Sequence, residues 1–393
     1  MNSSFVFSMP QKIVFGAGKF KNLPGYISGF GRRVILLTGS ASFVGSAHWE
    51  YLTKELKKMN VHYDHATISH EPSPQLIDEL TTECRTIHPS VVVAIGGGSV
   101  LDAGKAISAM ILTAGSVIDY LEGFEGSKKH KGTKIPFIAV PTTSGTGSEA
   151  TKNAVLSEPG ENGYKRSLRH DNFIPNLSLV DPVLTLSCPA GITAASGMDA
   201  FTQLVESYLS VKSTNLTDCL ALEGIRSIKK GLLQVVENGK NLEARTHMSY
   251  SALLSGITLA NAGLGVVHGF ASAMGGKAAI PHGIICGTLM ASANRKNLNK
   301  LKDSRIKSPV IYKYAHLGRI FLDAETEKIN DDFYAEEFVS MLEQWTEKLK
   351  LPRLSDLKLT TEELEKIALA TAIKNNPVDL NPKDLLDILH ARM

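Results

Sequence analysis

The sequence predicts an α/β domain with a doubly wound parallel sheet at residues 1–186, followed by an all-α domain at residues 187–393. Three observations predict this class. Short apolar runs that end in glycine alternate with amphipathic segments in the first half, as strands alternate with helices in such sheets. From residues 186–189 onward the strand signals fade and long helical patterns take over. The length of 393 residues also exceeds what one core normally serves.

The strands of the first domain are predicted from continuous apolar runs. Residues 34–38, 91–95 and 138–140 each form such a run and lead directly into a glycine- or proline-containing turn. A short apolar run of this kind is typical of a parallel strand that helices cover on both faces. Amphipathic segments lie between the runs, and Pro74 marks the start of one of these helices.

Two turns of this domain predict a bound nucleotide. Residues 96–99 read GGGS between a strand and a helix, and residues 141–151 read PTTSGTGSEAT after the next strand. Glycines at a helix start let free backbone N–H groups approach a phosphate. The spacing is not GxGxxG, and glycine can also serve turn geometry alone. Since open α/β sheets bind ligands where strands end, two such loops favour a nucleotide.

The composition limits which kinds of partner the protein binds and in which compartment it is found. The net charge is +3, 43% of residues are hydrophobic, and no segment carries a basic block. We therefore expect neither nucleic acid nor a membrane surface as a partner. Four cysteines without a CxxC pair, and an N-terminus without a signal-peptide pattern, predict a cytoplasmic protein. These cysteines are Cys84, Cys188, Cys219 and Cys286.

The second domain contains a long stretch without Asp, Glu, Lys or Arg between Arg245 and Lys277. A run of this length could span a bilayer. Asn261, several glycines and serines, and His268 are poor lipid-facing residues, so we expect two buried helices packed through small residues. A buried imidazole needs a partner, which makes His268 either a hydrogen-bonded core histidine or a ligand.

Asp199 lies in another apolar helix and shares one helical face with Gln203. A buried carboxylate needs a cation, hydrogen bonds or a raised pKa. With His268 and His282 it forms a set of one carboxylate and two imidazoles. This set is found at non-haem Fe(II) sites and at catalytic zinc sites. The alternative is a locally paired Asp199 with two structural histidines.

These residues together resemble the iron-containing (group III) alcohol dehydrogenases over essentially the whole chain. The resemblance implies the dehydroquinate synthase-like fold class and a cleft in which a nicotinamide cofactor and a divalent metal interconvert a small alcohol and an aldehyde or ketone. It also implies a homodimer or larger homo-oligomer. The motifs are GGGSVLDAGKAI at 96–107, PTTSGTGSEAT at 141–151, VDPVLT at 180–185, GMDAFTQLVESY at 197–208 and NAGLGVVHGFASAMGG…PHG at 261–283.

Carried over by position, the resemblance makes Asp199, His268 and His282 the catalytic metal ligands, for iron or zinc. The fourth ligand of the family is usually a histidine, and this chain has Gln203 there, which is a weaker donor. Many members also have a second histidine, thought to relay protons, where this chain has Ser272.

The resemblance also implies the positions that bind the nicotinamide cofactor. They are Gly97, Gly98, Ser99, Asp102, Thr142, Thr143, Thr146, Asn153, Lys165 and Leu184. NAD-preferring members often place an aspartate after the strand at residues 34–38, and this chain has Gly39 and Ser40. Because no carboxylate there repels a 2′-phosphate, we favour NADP over NAD, or the use of both.

Two other functions stay open at this point. One is a metal-independent NAD(P)H reductase similar to the maleylacetate reductases. The other is a nucleotide-binding protein that has lost catalysis, which the departures at Gln203 and Ser272 favour.

Overall fold

A computed structural model describes residues 4–160, 163–275, 280–303, 308–325 and 330–393. It confirms the predicted class, because one half carries a parallel sheet with helices and the other half is helical. The sheet order is β1-β8-β5-β4-β2-β3, and all pairs are parallel. Its strands are β1 Lys12–Phe15, β2 Arg33–Gly39, β3 His62–Ile68, β4 Val91–Gly96, β5 Phe137–Pro141 and β8 Leu177–Val180.

Strand β4 shows why the apolar runs form the sheet. All six of its residues are buried, because helices pack on both faces of a parallel sheet. The helices of this domain are α1 Leu23–Phe30, α2 Ala47–Lys58, α3 Pro74–Ile87 and α4 Gly98–Met110. The strands predicted at residues 34–38, 91–95 and 138–140 are thus confirmed, each extended by one or two residues.

A second, antiparallel pair of strands was not expected from the sequence. Strands β6 Asn153–Glu158 and β7 Tyr164–Arg169 form it. Ala154, Leu156 and Leu168 are buried in the core that also contains α4. The sequence of β7 did not predict a strand because most of its residues are charged or polar, and only one face of the pair is apolar.

The second half contains nine helices in its described residues. They are α5 Ala190–Leu209, α6 Asn215–Glu237, α7 Leu242–Ala262, α8 Val266–Met274, α9 His282–Asp303, α10 Pro309–Phe321, α11 Asp331–Lys348, α12 Thr361–Ala370 and α13 Pro382–His390. The predicted division at residue 186 falls between the end of β8 and the start of α5.

The uncharged stretch forms α7 and α8, as predicted, and most of their side chains are buried. The end of the stretch, residues 276–277, lies outside the described residues. Within the described ranges no single helix is long and apolar enough to cross a bilayer, and α7 with α8 meets the length and composition criteria only as a pair bent by 97°.

Close backbone packing joins α7 to the loop at residues 141–151. Gly147 has a φ of +64° and lies against Gly256 of α7. A Cβ atom added at Gly256 would lie 2.2 Å from the Gly147 carbonyl oxygen, which leaves no room for a side chain. Glycine is therefore required here for the close approach of two backbones.

We expect Gly256→Ala to lower the free energy of unfolding by about 1–3 kcal/mol, because the new methyl group must displace the Gly147 backbone. Urea denaturation measures this change. Gly29→Ala on α1 is the control, since its added Cβ would meet no atom within 4 Å. Equal stability of the two variants would contradict the packing argument.

Candidate active site

Three helices bring four metal-ligating side chains together. Asp199 lies on α5, His268 on α8, and His282 and Cys286 on the first turns of α9. Asp199 Oδ1 is 3.4 Å from His268 Nε2 and 3.6 Å from His282 Nε2. Cys286 Sγ is 3.7 Å and 3.6 Å from the same two nitrogens. The four ligand atoms all lie within 4.8 Å of one another. We call them the helical cluster.

Glu206 is the partner that His268 needs. The Nδ1 atom of His268 is 2.7 Å from Glu206 Oε2, and Glu206 Oε1 accepts a hydrogen bond from the Val267 N–H at 2.7 Å. This contact leaves Nε2 facing the cluster, as in the carboxylate–histidine pairs of metal sites. The sequence analysis missed Glu206. Its position seven residues after Asp199, two turns along the same face of α5, was the available signal.

Charge and burial at the cluster fit a divalent cation. Asp199 is 1% exposed, and its Oδ1 has no partner with hydrogen-bond geometry among the described residues. Burial alone would raise the pKa of Asp199, but His282 and His268 lower it to about 2, so the carboxylate is ionised. Burial lowers the pKa of His282, which favours its neutral, ligating form. An unpartnered anionic oxygen beside two imidazoles is a suitable donor set.

The two positions that depart from the family have other contacts in the structure. Gln203 is 2% exposed, and its Oε1 accepts a hydrogen bond from the Ser255 hydroxyl of α7 at 2.8 Å. The Ser272 hydroxyl donates to the His268 carbonyl oxygen of its own helix at 2.9 Å. Both side chains thus have a hydrogen-bond partner other than the four ligand atoms of the helical cluster.

The two predicted phosphate loops meet at one edge of the sheet. Gly96 is in register with Pro141 on the neighbouring strand, and the Thr142 N–H donates to the Gly96 carbonyl at 2.9 Å. A Cβ atom on Gly98 would lie 2.6 Å from the Thr146 side chain. Helix α4 begins at Gly98, and the first backbone N–H groups of a helix have no partner within it. These N–H groups, including that of Ser99, therefore lie beside the two loops.

A buried lysine holds these loops in place. Lys105 Nζ contacts the Ser148 carbonyl at 2.9 Å, the Thr151 hydroxyl at 2.8 Å and the Asn153 carbonyl at 2.8 Å. The sequence analysis did not single out Lys105. Its neighbour Asp102 accepts hydrogen bonds from the Ser148 hydroxyl and from the Val155 N–H. Among the described residues, Asp102 and the Asn153 carbonyl oxygen therefore bond to other parts of the protein. That Asp102 and Asn153 bind the cofactor stays a prediction.

Other predicted cofactor residues surround these loops. Thr142, Thr143 and Leu184 line a cleft of about 430 Å³ between the sheet and the start of α5. Gly39 ends β2 and is followed by the exposed Ser40. Lys165 on β7 forms an ion pair with Glu71 at 2.6 Å. Glu71 was not predicted from the sequence, since it lies in the loop after β3, far along the chain from Lys165.

The loops and the helical cluster are adjacent through α5. A Cβ atom on Gly145 would lie 2.5 Å from Ser196 Cβ, and one on Gly283, next to His282, would lie 2.4 Å from the Ala195 carbonyl oxygen. The turn of α5 that precedes Asp199 therefore packs against both the loop at residues 141–151 and the start of α9.

Family profiles match nearly the whole chain. The profile of the iron-containing alcohol dehydrogenases matches residues 10–182, and that of the C-terminal domain of the same family matches residues 193–393. The chain belongs to the iron-containing alcohol dehydrogenase family. The resemblance inferred from the motifs is thus confirmed, and membership supports alcohol oxidoreductase activity.

Individual relatives agree with this assignment. Alcohol dehydrogenase 4 of Saccharomyces cerevisiae is 30% identical over 374 residues, which cover 94% of this chain and 92% of the relative. The NAD-dependent methanol dehydrogenase of Bacillus methanolicus is 27% identical over 92% of both chains. The structure of an alcohol dehydrogenase from Oenococcus oeni is 29% identical, covers 99% of this chain and 100% of its own, and has a TM-score of 0.88.

We expect Glu206→Gln to weaken metal binding by about 10–100-fold, because an amide holds the His268 ring less strongly than a carboxylate does. Competition with a chromophoric chelator measures the affinity. Glu237→Gln, at the exposed end of α6, is the control and should bind metal as the parent protein does. Unchanged affinity in Glu206→Gln would mean that Glu206 does not support the site.

Proposed function

We propose that this protein is an NAD(P)-dependent oxidoreductase that interconverts an alcohol and an aldehyde or ketone by hydride transfer. Asp199, His268 and His282 would hold a divalent metal, iron or zinc, and Gln203 lies one turn after Asp199. The observation that carries the proposal is the convergence of these three ligands, one of them an unpartnered buried carboxylate oxygen, beside the glycine-rich loops. Family membership supports the reaction class.

The protein's own residues orient the reactants. Glu206 fixes the His268 ring so that Nε2 faces the cluster, and burial keeps Asp199 away from water. The cleft beside Thr142, Thr143 and Leu184 would take the cofactor, with the first turn of α4 toward its phosphates. A bound divalent cation supplies Lewis acidity toward an alcohol or carbonyl oxygen. The nicotinamide supplies the hydride chemistry.

We propose that the protein uses NADP as well as NAD. The chain after β2 reads Gly39-Ser40, so no carboxylate there repels a 2′-phosphate, and the exposed Ser40 offers a hydroxyl donor. The relative from Bacillus methanolicus is NAD-dependent. We therefore expect activity with both cofactors and a preference for NADP.

A metal-independent NAD(P)H reductase is the second candidate. It is favoured by Gln203, which stands where the family usually has a histidine, and by the ability of the cluster to pair internally through His268, Asp199 and Glu206. Exhaustive chelation separates the two candidates, because the second predicts unchanged turnover.

The proposal also includes the oligomeric state of the protein and its cellular compartment. Phe5, Val6 and Met9 expose apolar side chains just before β1, which is an edge strand of the sheet, and this favours a homodimer or larger oligomer. All four cysteines are free, which fits a reducing compartment such as the cytoplasm. Light scattering on the purified protein tests the assembly.

We expect His282→Ala to lose the bound metal and the activity together while it keeps its affinity for the cofactor, since His282 belongs to the helical cluster and not to the loops. Elemental analysis of protein purified anaerobically, and turnover with NADH and NADPH before and after chelation, measure this. His390→Ala, exposed at the end of α13, is the control. Full activity of metal-free His282→Ala would exclude the metal-dependent reaction.

We expect Ser40→Asp to lower kcat/KM for NADPH by about tenfold, the equivalent of about 1.4 kcal/mol, because a carboxylate at a protein surface repels the 2′-phosphate. The value for NADH serves as the internal control and should change little. An equal loss with both cofactors would show that Ser40 does not discriminate between them.

A further inference from the structure

Cys286 is a member of the helical cluster that neither the sequence motifs nor the family pattern assigned. It lies one helical turn after His282 on α9, so both side chains project from the same face. Its side chain is fully buried, and its sulfur is nearly equidistant from the two imidazole nitrogens. A thiol can donate a hydrogen bond to one of these nitrogens and accept one from the other, so this position suits both a hydrogen-bonded thiol and a thiolate that shares a metal ion with the two imidazoles.

The distances within the cluster match those around one tetrahedral ion. Zinc bonds of about 2.0–2.2 Å to oxygen and nitrogen and about 2.3 Å to sulfur place ligand oxygen and nitrogen about 3.3–3.5 Å apart, and sulfur and nitrogen about 3.5–3.6 Å apart. The oxygen–nitrogen separations here are 3.4 and 3.6 Å. The sulfur–nitrogen separations are 3.7 and 3.6 Å. Four of the six separations among these atoms thus lie within about 0.2 Å of those expected around one tetrahedral ion.

Gln203, the other candidate for the fourth ligand, is already engaged. Its Oε1 accepts a hydrogen bond from Ser255, on α7, which contributes no residue to the cluster. A neutral amide oxygen is also a weaker donor than a thiolate for a divalent transition metal. The histidine missing from α5 is therefore compensated from a different helix.

We infer that the Cys286 thiolate, and not Gln203, is the fourth metal ligand, and that the resulting Asp–His–His–Cys set selects Zn²⁺ over Fe²⁺. This inference rests on the proposed metal site and specifies its ligand set. Thiolate ligands favour zinc, and zinc already binds mixed nitrogen and sulfur sites more tightly than Fe²⁺ does. On binding, the Sγ–H bond breaks, the Sγ–metal bond forms, and one proton leaves to solvent.

Cobalt substitution tests the sulfur bond directly. The metal-free protein is loaded with Co²⁺, and a tetrahedral thiolate site should give a near-ultraviolet sulfur-to-cobalt charge-transfer band. The band should disappear in Cys286→Ser and persist in Cys219→Ser, whose thiol is exposed on α6. X-ray absorption of the unaltered zinc protein should show one sulfur neighbour at about 2.3 Å, a result that does not depend on how any variant folds.

Metal affinity gives a second readout. Cys286→Ser should bind Zn²⁺ at least 10–100-fold more weakly, the loss that removal of even an outer partner causes, and its preference for Zn²⁺ over Fe²⁺ should narrow. A cobalt protein that turns over but lacks both the band and the sulfur neighbour would overturn the inference and leave the proposed function standing. A protein that binds none of cobalt, zinc and iron would overturn both the inference and the metal-dependent function.

Discussion

Burial of the Asp199 carboxylate is the constraint on which the helical half depends. An ionised carboxylate that is 1% exposed is costly unless a cation or hydrogen bonds compensate it. Its Oδ1 lacks such a hydrogen bond among the described residues, and two imidazoles and a thiol surround it instead. Helices α5, α8 and α9 must therefore meet at this point. Glu206 extends the arrangement outward by fixing His268, so α5 contributes both Asp199 and the residue that orients His268.

The α/β half is organised around a second buried charge. Burial lowers the pKa of Lys105 to about 8, and the neighbouring Asp102 and Glu149 oppose that shift. Its hydrogen bonds tie α4 to the segment from Ser148 to Asn153, and hence to the start of β6. These polar side chains thus hold the two glycine-rich loops in fixed positions relative to each other. A cleft that binds a cofactor requires such a fixed arrangement.

Glycine contacts join the two halves. The Gly147–Gly256 approach holds the loop at residues 141–151 against α7, and the contact of Gly145 with Ser196 holds it against α5. Gly283 packs on the same part of α5 from the other side. Since each contact is between backbones, the loops and the helical cluster are positioned by rigid packing. This is the arrangement expected where a hydride must pass between a cofactor and a substrate over a short distance.

The sequence by itself determined the fold class, the buried strands, the two loops and three members of the helical cluster. These depend on local periodicity and on short motifs, which are visible along the chain. It did not reveal strands β6 and β7, the support of His268 by Glu206, the pairing of Lys165 with Glu71, or the place of Cys286. Each of these depends on which side chains distant in sequence meet, and only the packing of α5, α8 and α9 brings Cys286 beside Asp199 and the two histidines.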